Sequence, residues 1–448
     1  MSTSSGPVKI GIVGLGTVGT GVVRLLIESC DHITRHVGRN LVVERVVVRD
    51  ESLSRQVTLP KGMVTSDLSQ ITEDSSITVA ALLVGGLEPA RSIMIELLER
   101  GKDVVTANKA LLAEHGPELF ALARRKGRSI AFEAAVAGGI PIVATIAQCL
   151  SANRIEAVRG ILNGTSNFIL AHMEEEGASY SESLAMAQKL GFAEADPSMD
   201  VDGTDATQKL AILIQLAFGI WIPWREIPRT GIEAIHAVHI ARAAEMGYRI
   251  RLVASASRAE NALTMRLEPM LVRQGSPLAE VRGAFNAVEI KGDAVGRIFF
   301  HGQGAGQMPT ASAVVADIID TVVGRAAITF DTTGRMIDTH ARSKEPLQSD
   351  PMNRHFLHLL VRDKPGVLAD ITGILGTHGI SIASVIQHEP TELGAGVPLV
   401  IMTHYARQAS LRLAMQEIDS RPTVTAPSTC LSVLDELDAP RHSVRESN

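Results

Sequence analysis

Two lysines and a run of acids carry the most legible chemistry in this chain. Lys109 ends the segment Val104-Val105-Thr106-Ala107-Asn108-Lys109, just past an expected strand. In open parallel sheets ligands collect at the strands' carboxyl edge, so a cation there can meet cofactor or substrate. Five carboxylates fall within the twelve residues from Glu194 to Asp205, an anionic, turn-rich loop that runs into a helix. On that helix Asp205 and Lys209 are four apart and share a face. Lys209 also falls on a stripe with Ala206, Leu210, Leu213 and Ala217, so it points inward. An interior ammonium is costly unless it is paired or functional. Asp205 is the obvious partner, with a plain ion pair as the alternative use. The spacing of the acids does not suit a calcium loop. Hydride delivery to a carbonyl leaves an alkoxide that needs a proton, and with no metal cluster in the sequence Lys209 is the best candidate donor.

The elements that must hold these groups begin with an apolar strand, Val8 to Val13. It leads into Gly14-Leu15-Gly16-Thr17-Val18-Gly19, and a helix starts inside that turn. A G-x-G-x-x-G between strand and helix predicts a dinucleotide site, with the pyrophosphate at the helix N-terminus. The expected contacts are Gly14, Gly16, Thr17, Val18 and Gly19, with Thr106 and Lys109 further along the same sheet edge. A second strand, Leu41 to Val48, ends at Arg49-Asp50. An arginine at that tip suits the 2′-phosphate of NADP and an acid suits the ribose of NAD, so Arg49 favours NADP while Asp50 keeps NAD open. Strands at Ile77 to Val84 and Asp103 to Thr106, with helical segments at Ile93 to Leu98 and Leu119 to Ala123, predict a parallel sheet with crossover helices.

The pattern changes beyond Leu150. Helices are expected at Glu182 to Leu190 and Ala206 to Phe218. Strands are expected at Arg249 to Ala254, Leu263 to Leu271, Ala287 to Lys291 and Arg297 to His301, and a helix at Ala311 to Val323. The polar segment 342–353 predicts a linker. After it, Phe356 to Val361, Val367 to His378, Ile380 to Gln387, Leu399 to His404 and Ala409 to Asp419 predict a β-α-β-β-α-β unit. The fold class expected is thus α/β. It comprises a Rossmann-type domain over 1–150 completed by the helix at 308–325, an α+β substrate and dimerisation domain over 151–307, a small regulatory module over 354–435, and a frayed tail over 436–448.

A net charge of −6 gives no electrostatic reason to expect nucleic acid or an anionic membrane as partner. No apolar run reaches membrane-spanning length. The polar start, Met1 to Val8, lacks the core of a signal peptide. Cys30, Cys149 and Cys430 lie far apart without metal-site spacing, which predicts a reducing, cytoplasmic setting. Cys149 follows an apolar stretch and is expected to be buried. His236 and His239, three apart, lack a third ligand and are expected to be ordinary surface or core histidines. Trp221 and Trp224 flank Pro223 as packing anchors.

Several ordered motifs resemble homoserine dehydrogenase. They include GLGTVG, VGGLEPA (Val84 to Ala90), VTANKALL (Val105 to Leu112), FEAAVAGGIP (Phe132 to Pro141) and ILNGTSN (Ile161 to Asn167). GFAEADPSMDVDGTDATQKLAIL (Gly191 to Leu213) and GAGQMPTASAVVAD (Gly304 to Asp317) complete the set. The resemblance implies an enzyme interconverting aspartate semialdehyde and homoserine with NAD(P)H. It implies Lys209 as proton donor, Lys109 beside cofactor and substrate, and Glu194, Asp200 and Asp205 on the amino acid's polar groups. It further implies Gly306 near the cofactor, and a monovalent cation (Na+ or K+) on Glu133, Val136, Gly138 and Ile140. Met199 departs from relatives that often carry an acid there. The segment from Phe356 to about Asp435 resembles an ACT domain, with Asp363-Lys364-Pro365-Gly366 matching its first strand-to-helix turn. That likeness implies feedback control, threonine as effector at Asp363, Pro365 and Gly366, and a homo-oligomer, dimer or tetramer. A purely structural dimerisation unit is the alternative.

Overall fold

The computed structural model describes residues 6–259, 262–336, 350–387, 396–435 and 437. Most of the expected linker 342–353, and the expected tail 436–448 except residue 437, lie outside the described residues. Six strands open the chain: β1 (Val8–Val13), β2 (Leu41–Val47), β3 (Val64–Thr65), β4 (Ile77–Leu82), β5 (Asp103–Thr106) and β6 (Ile130–Ala131). They form one parallel sheet in the order β3-β2-β1-β4-β5-β6. The order reverses at β1, so a crevice opens where the glycine turn leaves that strand, the usual place for a dinucleotide. Ile10, Ile12, Ala80, Ala81, Val104 and Val105 are fully buried, as strands covered on both faces must be. The helix Gln307–Val322 returns to this sheet, and it lies so close to the helix Thr17–Glu28 that a Cβ on Gly21 would stand 2.9 Å from Ala311 Cβ.

The second sheet is mixed and larger. It contains β7 (Ile155–Ile161), β8 (Tyr248–Ala259), β9 (Ala262–Arg273), β10 (Phe285–Gly292) and β11 (Gly296–Gln303). The C-terminal module adds a two-residue strand β12 (Met352–Asn353), then β13 (His355–Val361), β14 (Ile382–Gln387), β15 (Val397–Thr403), a two-residue β16 (Ala406–Arg407) and β17 (Thr429–Val433). Helices Val367–Thr377 and Gln408–Asp419 complete the expected β-α-β-β-α-β order.

Apart from the two-stranded pair β12–β16, the module's strands do not form a sheet of their own. β17 lies parallel to β9, with Ser432 opposite Met270 and Val433 opposite Leu271. The result is one nine-stranded sheet in the order β11-β10-β7-β8-β9-β17-β13-β15-β14. One face of the module's sheet (Phe356, Val400, Met402, Leu431, Val433) joins the largest hydrophobic core of the protein. Its opposite face packs on its own two helices. His239, a core histidine, sits at the junction: its Nε2 lies 3.1 Å from the Thr429 hydroxyl and its ring 5.1 Å from that of His358. Cys149 is exposed, against expectation, because it ends the π-turn Thr145–Cys149 after the buried Ile146 has passed. Trp224 is buried and its indole N–H donates to Glu114 at 2.8 Å. Among the described residues no helix is long and apolar enough to cross a membrane.

Candidate active site

The cofactor turn is shaped by its glycines. Gly14 has φ +101°, and a Cβ there would stand 2.9 Å from the Leu83 backbone, so the turn rests directly on the loop that follows β4. A Cβ on Gly19 would overlap the Gly14 carbonyl, which fixes how tightly helix and turn approach. Gly16 faces open space and caps the helix Thr17–Glu28 without a side-chain bond, leaving the first-turn N–H groups free for an anion. Gly16 and Thr17 are exposed and Val18 half-buried. Gly306, with φ +118°, caps the returning helix Gln307–Val322 and is exposed.

At the tip of β2 Arg49 is exposed, while Asp50 is committed elsewhere. Its carboxylate accepts from the Ser52 N–H at 2.9 Å and hydroxyl at 2.6 Å, and those bonds hold its pKa below the usual carboxylate value. The guanidinium of Arg55 donates to the Asp50 carbonyl, bringing a second arginine to the same tip. Only its distance in sequence from the strand end kept Arg55 out of the expected set. The side chain of Thr106 turns into the sheet. It is fully buried and donates to Leu82 O at 2.9 Å, tying β5 to β4.

Beyond β5 the chain turns through Asn108 into the helix Lys109–Arg125. Asn108 caps that helix by accepting from Leu111 N–H at 3.0 Å. Its amide donates to Val84 O at 3.0 Å and Gly86 O at 2.6 Å. The loop under the glycine turn is thereby fixed to the start of the helix that presents Lys109.

Lys209 comes from the opposite side, on the helix Thr204–Phe218. Gly203, with φ +85°, caps that helix, and a Cβ on it would collide with Leu267 of β9. All fifteen residues of the helix are buried, so it is enclosed on every side and not along one stripe alone. Lys209 is 8% exposed and donates from Nζ to Leu162 O at 2.7 Å and to Asp205 Oδ2 at 2.7 Å. The other oxygen of Asp205 faces Lys109 Nζ at 3.0 Å. Asp205 therefore bridges two ammonium groups. Burial opposes its charge, but the lysines and their hydrogen bonds win and hold its pKa well below the usual range. The charge of Asp205, ahead of the opposing effect of burial, raises the pKa of Lys109.

The remaining acids differ in setting. Asp200 is half-buried and accepts from Asn163 Nδ2 at 2.7 Å, and burial pushes its pKa up. Glu194 is exposed on the loop above, near enough to add to the field on Lys109. Met199 is also exposed. The structure thus brings Lys109, Lys209, Asp200, Asp205 and, at the rim, Glu194 to one place. It also brings Asn163 and Leu162, which sequence reasoning left out of the site.

The four oxygen sources expected for a cation stand on one turn. The Glu133 carboxylate accepts N–H bonds from Val143 at 2.8 Å and Ala144 at 2.7 Å, and the Ile140 carbonyl accepts from Ile142 at 2.8 Å. Each of these oxygens keeps a second lone pair. Ala137 and Gly138 have φ of +54° and +48°, which folds the turn back on itself. A Cβ on Gly138 would stand 2.5 Å from Gly304 O, so this turn is seated against the one that ends at Gly306. Oxygen-only donors with a single carboxylate suit a hard cation of low charge.

In the C-terminal module Asp363, Pro365 and Gly366 form an exposed turn, and Gly366 (φ +91°) caps the helix Val367–Thr377.

Comparison with known proteins adds to this geometry. Residues 14–133 match the profile of the homoserine dehydrogenase NAD-binding domain, residues 141–319 that of homoserine dehydrogenase, and residues 355–423 that of the ACT domain. Among curated relatives, the homoserine dehydrogenase of Pseudomonas aeruginosa is 40% identical over 428 residues, covering 94% of this chain and 97% of its own. That of Synechocystis is 40% identical over 438 residues, covering 95% and 99%. The crystal structure of a homoserine dehydrogenase from Thiobacillus denitrificans superposes with a TM-score of 0.84 at 40% identity, over 96% of this chain and 98% of its own. A hyperthermophilic archaeal homoserine dehydrogenase in complex with NADPH matches with a TM-score of 0.60 at 28% identity, over 70% of this chain and 97% of its own. A parallel sheet with a glycine turn, a mixed sheet beside it and a lysine–carboxylate–lysine bridge centred on buried Asp205 are thus joined to relatives of one activity. The chain belongs to the homoserine dehydrogenase family, NAD(P)-dependent oxidoreductases acting on a CH–OH group, and it ends in an ACT domain.

Proposed function

We propose that Lys209 exchanges the proton at the substrate oxygen as L-aspartate 4-semialdehyde and L-homoserine interconvert. The observation that carries this is the hydrogen-bond count at Nζ. An ammonium has three N–H donors; among the described residues two are taken, by Asp205 and Leu162 O, and one is left for an oxygen in the cleft. In the reductive direction that donor stabilises the charge growing on the aldehyde oxygen and then transfers its proton. NADPH, when bound along the Gly14–Gly19 turn, supplies the hydride. Asp205, held ionised, steadies both lysines, and Lys109 adds a second positive charge at the rim of the cleft. Glu194 and Asp200 supply anionic contacts for the amino acid's ammonium and hydroxyl.

NADP is the preferred cofactor, because the tip of β2 offers Arg49 and Arg55 while the Asp50 carboxylate is spent on Ser52. A monovalent cation binds the turn of Glu133, Val136, Gly138 and Ile140 and stiffens its seat against Gly304. The enzyme serves threonine, methionine and isoleucine biosynthesis in the cytoplasm, where its free cysteines stay reduced. Threonine acts as effector through the turn at Asp363, Pro365 and Gly366, and the enzyme works as a dimer or tetramer.

The test is Lys209→Ala, assayed spectrophotometrically with homoserine and NADP. Turnover falls by about 10³-fold or more, while NADPH binding, followed by nicotinamide fluorescence, is retained. Wild-type turnover in that variant overturns the assignment.

A further inference from the structure

Asp200 and Asp205 are two acids that must face one substrate, and like charges held close resist sharing a site. What stands between them is the side chain of Asn163, at the end of β7, itself only 5% exposed. Its Nδ2 donates one hydrogen to Asp200 Oδ1 at 2.7 Å and the other to Asp205 Oδ2 at 2.9 Å. Its oxygen accepts from the Ser166 N–H at 2.8 Å and so caps the helix Gly164–Glu176. Every hydrogen-bonding group of this amide is therefore used, and the amide carries no charge of its own. The preceding residue completes the arrangement, since the Leu162 carbonyl is the second acceptor of Lys209 Nζ. Two consecutive residues thus deliver one acceptor to the lysine and one donor to the carboxylate paired with it.

We propose that Asn163 is a positioning residue for the reaction: its neutral double donor fixes the spacing of Asp200 and Asp205 and, through Asp205, the direction of the one free N–H of Lys209. The residue type follows from the requirements. The cap needs an acceptor, the two acids need two donors, and a charge between them is excluded. Serine and aspartate satisfy the cap as well as asparagine does. Serine, however, cannot reach both carboxylates, and aspartate turns the donor into a third anion. Burial already raises the pKa of Asp200, and the Asn163 bond is the largest effect that opposes it. Around the pair stand Lys109, Lys209 and Glu194 as charged groups, while the Thr165 hydroxyl gives its hydrogen to Phe192 O at 2.7 Å.

The inference rests on Lys209 as the proton donor, and its test separates the two. Asn163→Ser and Asn163→Asp are compared with wild type and with Lys209→Ala in the full-length enzyme. Thermal melting and NADPH binding report the fold. With the cap intact, Asn163→Ser keeps both near wild type but loses about 10- to 100-fold in kcat. Its acid limb of kcat/KM moves to higher pH, as Asp200 loses a bond that favours its charged form. Asn163→Asp loses more and moves the limb further. Wild-type kcat and an unmoved acid limb in Asn163→Ser, beside an inactive Lys209→Ala, overturn the role of Asn163 alone. A kcat loss that only follows a fall in melting temperature, with no movement of the limb, also overturns it. A fully active Lys209→Ala instead removes the reading on which the inference stands.

Discussion

Asp205 accepts from three donors on three different elements: Lys109, Lys209 and Asn163. Sequence spacing showed only one of them, the lysine four residues on along the same helix. The other two approach from about a hundred and about forty residues away, and no local pattern announces such a meeting. Asn163 was hidden for a further reason, since a single Asn before a Gly-Thr-Ser run signals a helix cap and its spare amide has no sequence signature. At the cofactor end the glycine turn was legible, because Gly14 needs its positive φ and Gly19 leaves no room for a side chain, while Gly16 faces open space. The tip of β2 was half legible. Arg49 stood in the expected place, but Arg55 reaches it only through a turn. Replacing both arginines by alanine is expected to raise KM for NADP by about tenfold or more and to leave KM for NAD nearly unchanged. Steady-state kinetics with each cofactor check this; equal changes for both would remove the arginines from 2′-phosphate recognition.

The helix Thr204–Phe218 is the element on which the site turns. The sequence reading placed Lys209 on an apolar stripe, and the lysine is interior. Yet Ile212, Ile214 and Leu216 on the other sides are buried as well, because the helix runs through the middle of the molecule. The helix Gly164–Glu176 and the strand β7 went unforeseen. β7 carries Glu156 and Arg159 among its apolar residues, and the helix opens on buried Thr165, Ser166 and Asn167, so neither shows a clean hydrophobic period. Buried polar residues of this kind are what a site costs in pattern. At the start of this helix Gly203 is required twice, by its positive φ and by Leu267 filling the space of a side chain. Gly203→Ala is expected to destabilise the protein by about 1–3 kcal/mol, read from the denaturant midpoint, and to lower kcat as Asp205 and Lys209 shift with the helix. An unchanged midpoint would show that Leu267 yields freely.

At the scale of the whole molecule, the fold class was legible because strand and helix periods alternate cleanly in the first part and again in the last. The joining of the two ends was not. The expected module named no residues for its last strand, and nothing in β17 names β9 as its neighbour. A chain ending at Asn353 is therefore expected to lose more than a regulatory attachment. It would uncover the edge of β9 at Met270 and Leu271 and the apolar patch that Phe356, Leu431 and Val433 now cover. Thermal melting and light scattering should find this truncated form several degrees less stable and prone to associate; a melt identical to that of the full chain would show the junction to be energetically idle. The same junction makes distance short. Met270, the partner of Ser432, lies three residues along one extended strand from Leu267, a span of about 10 Å. A tilt imposed on the terminal module would thus be felt within one short stretch of β9 at the threshold of the helix that carries Lys209.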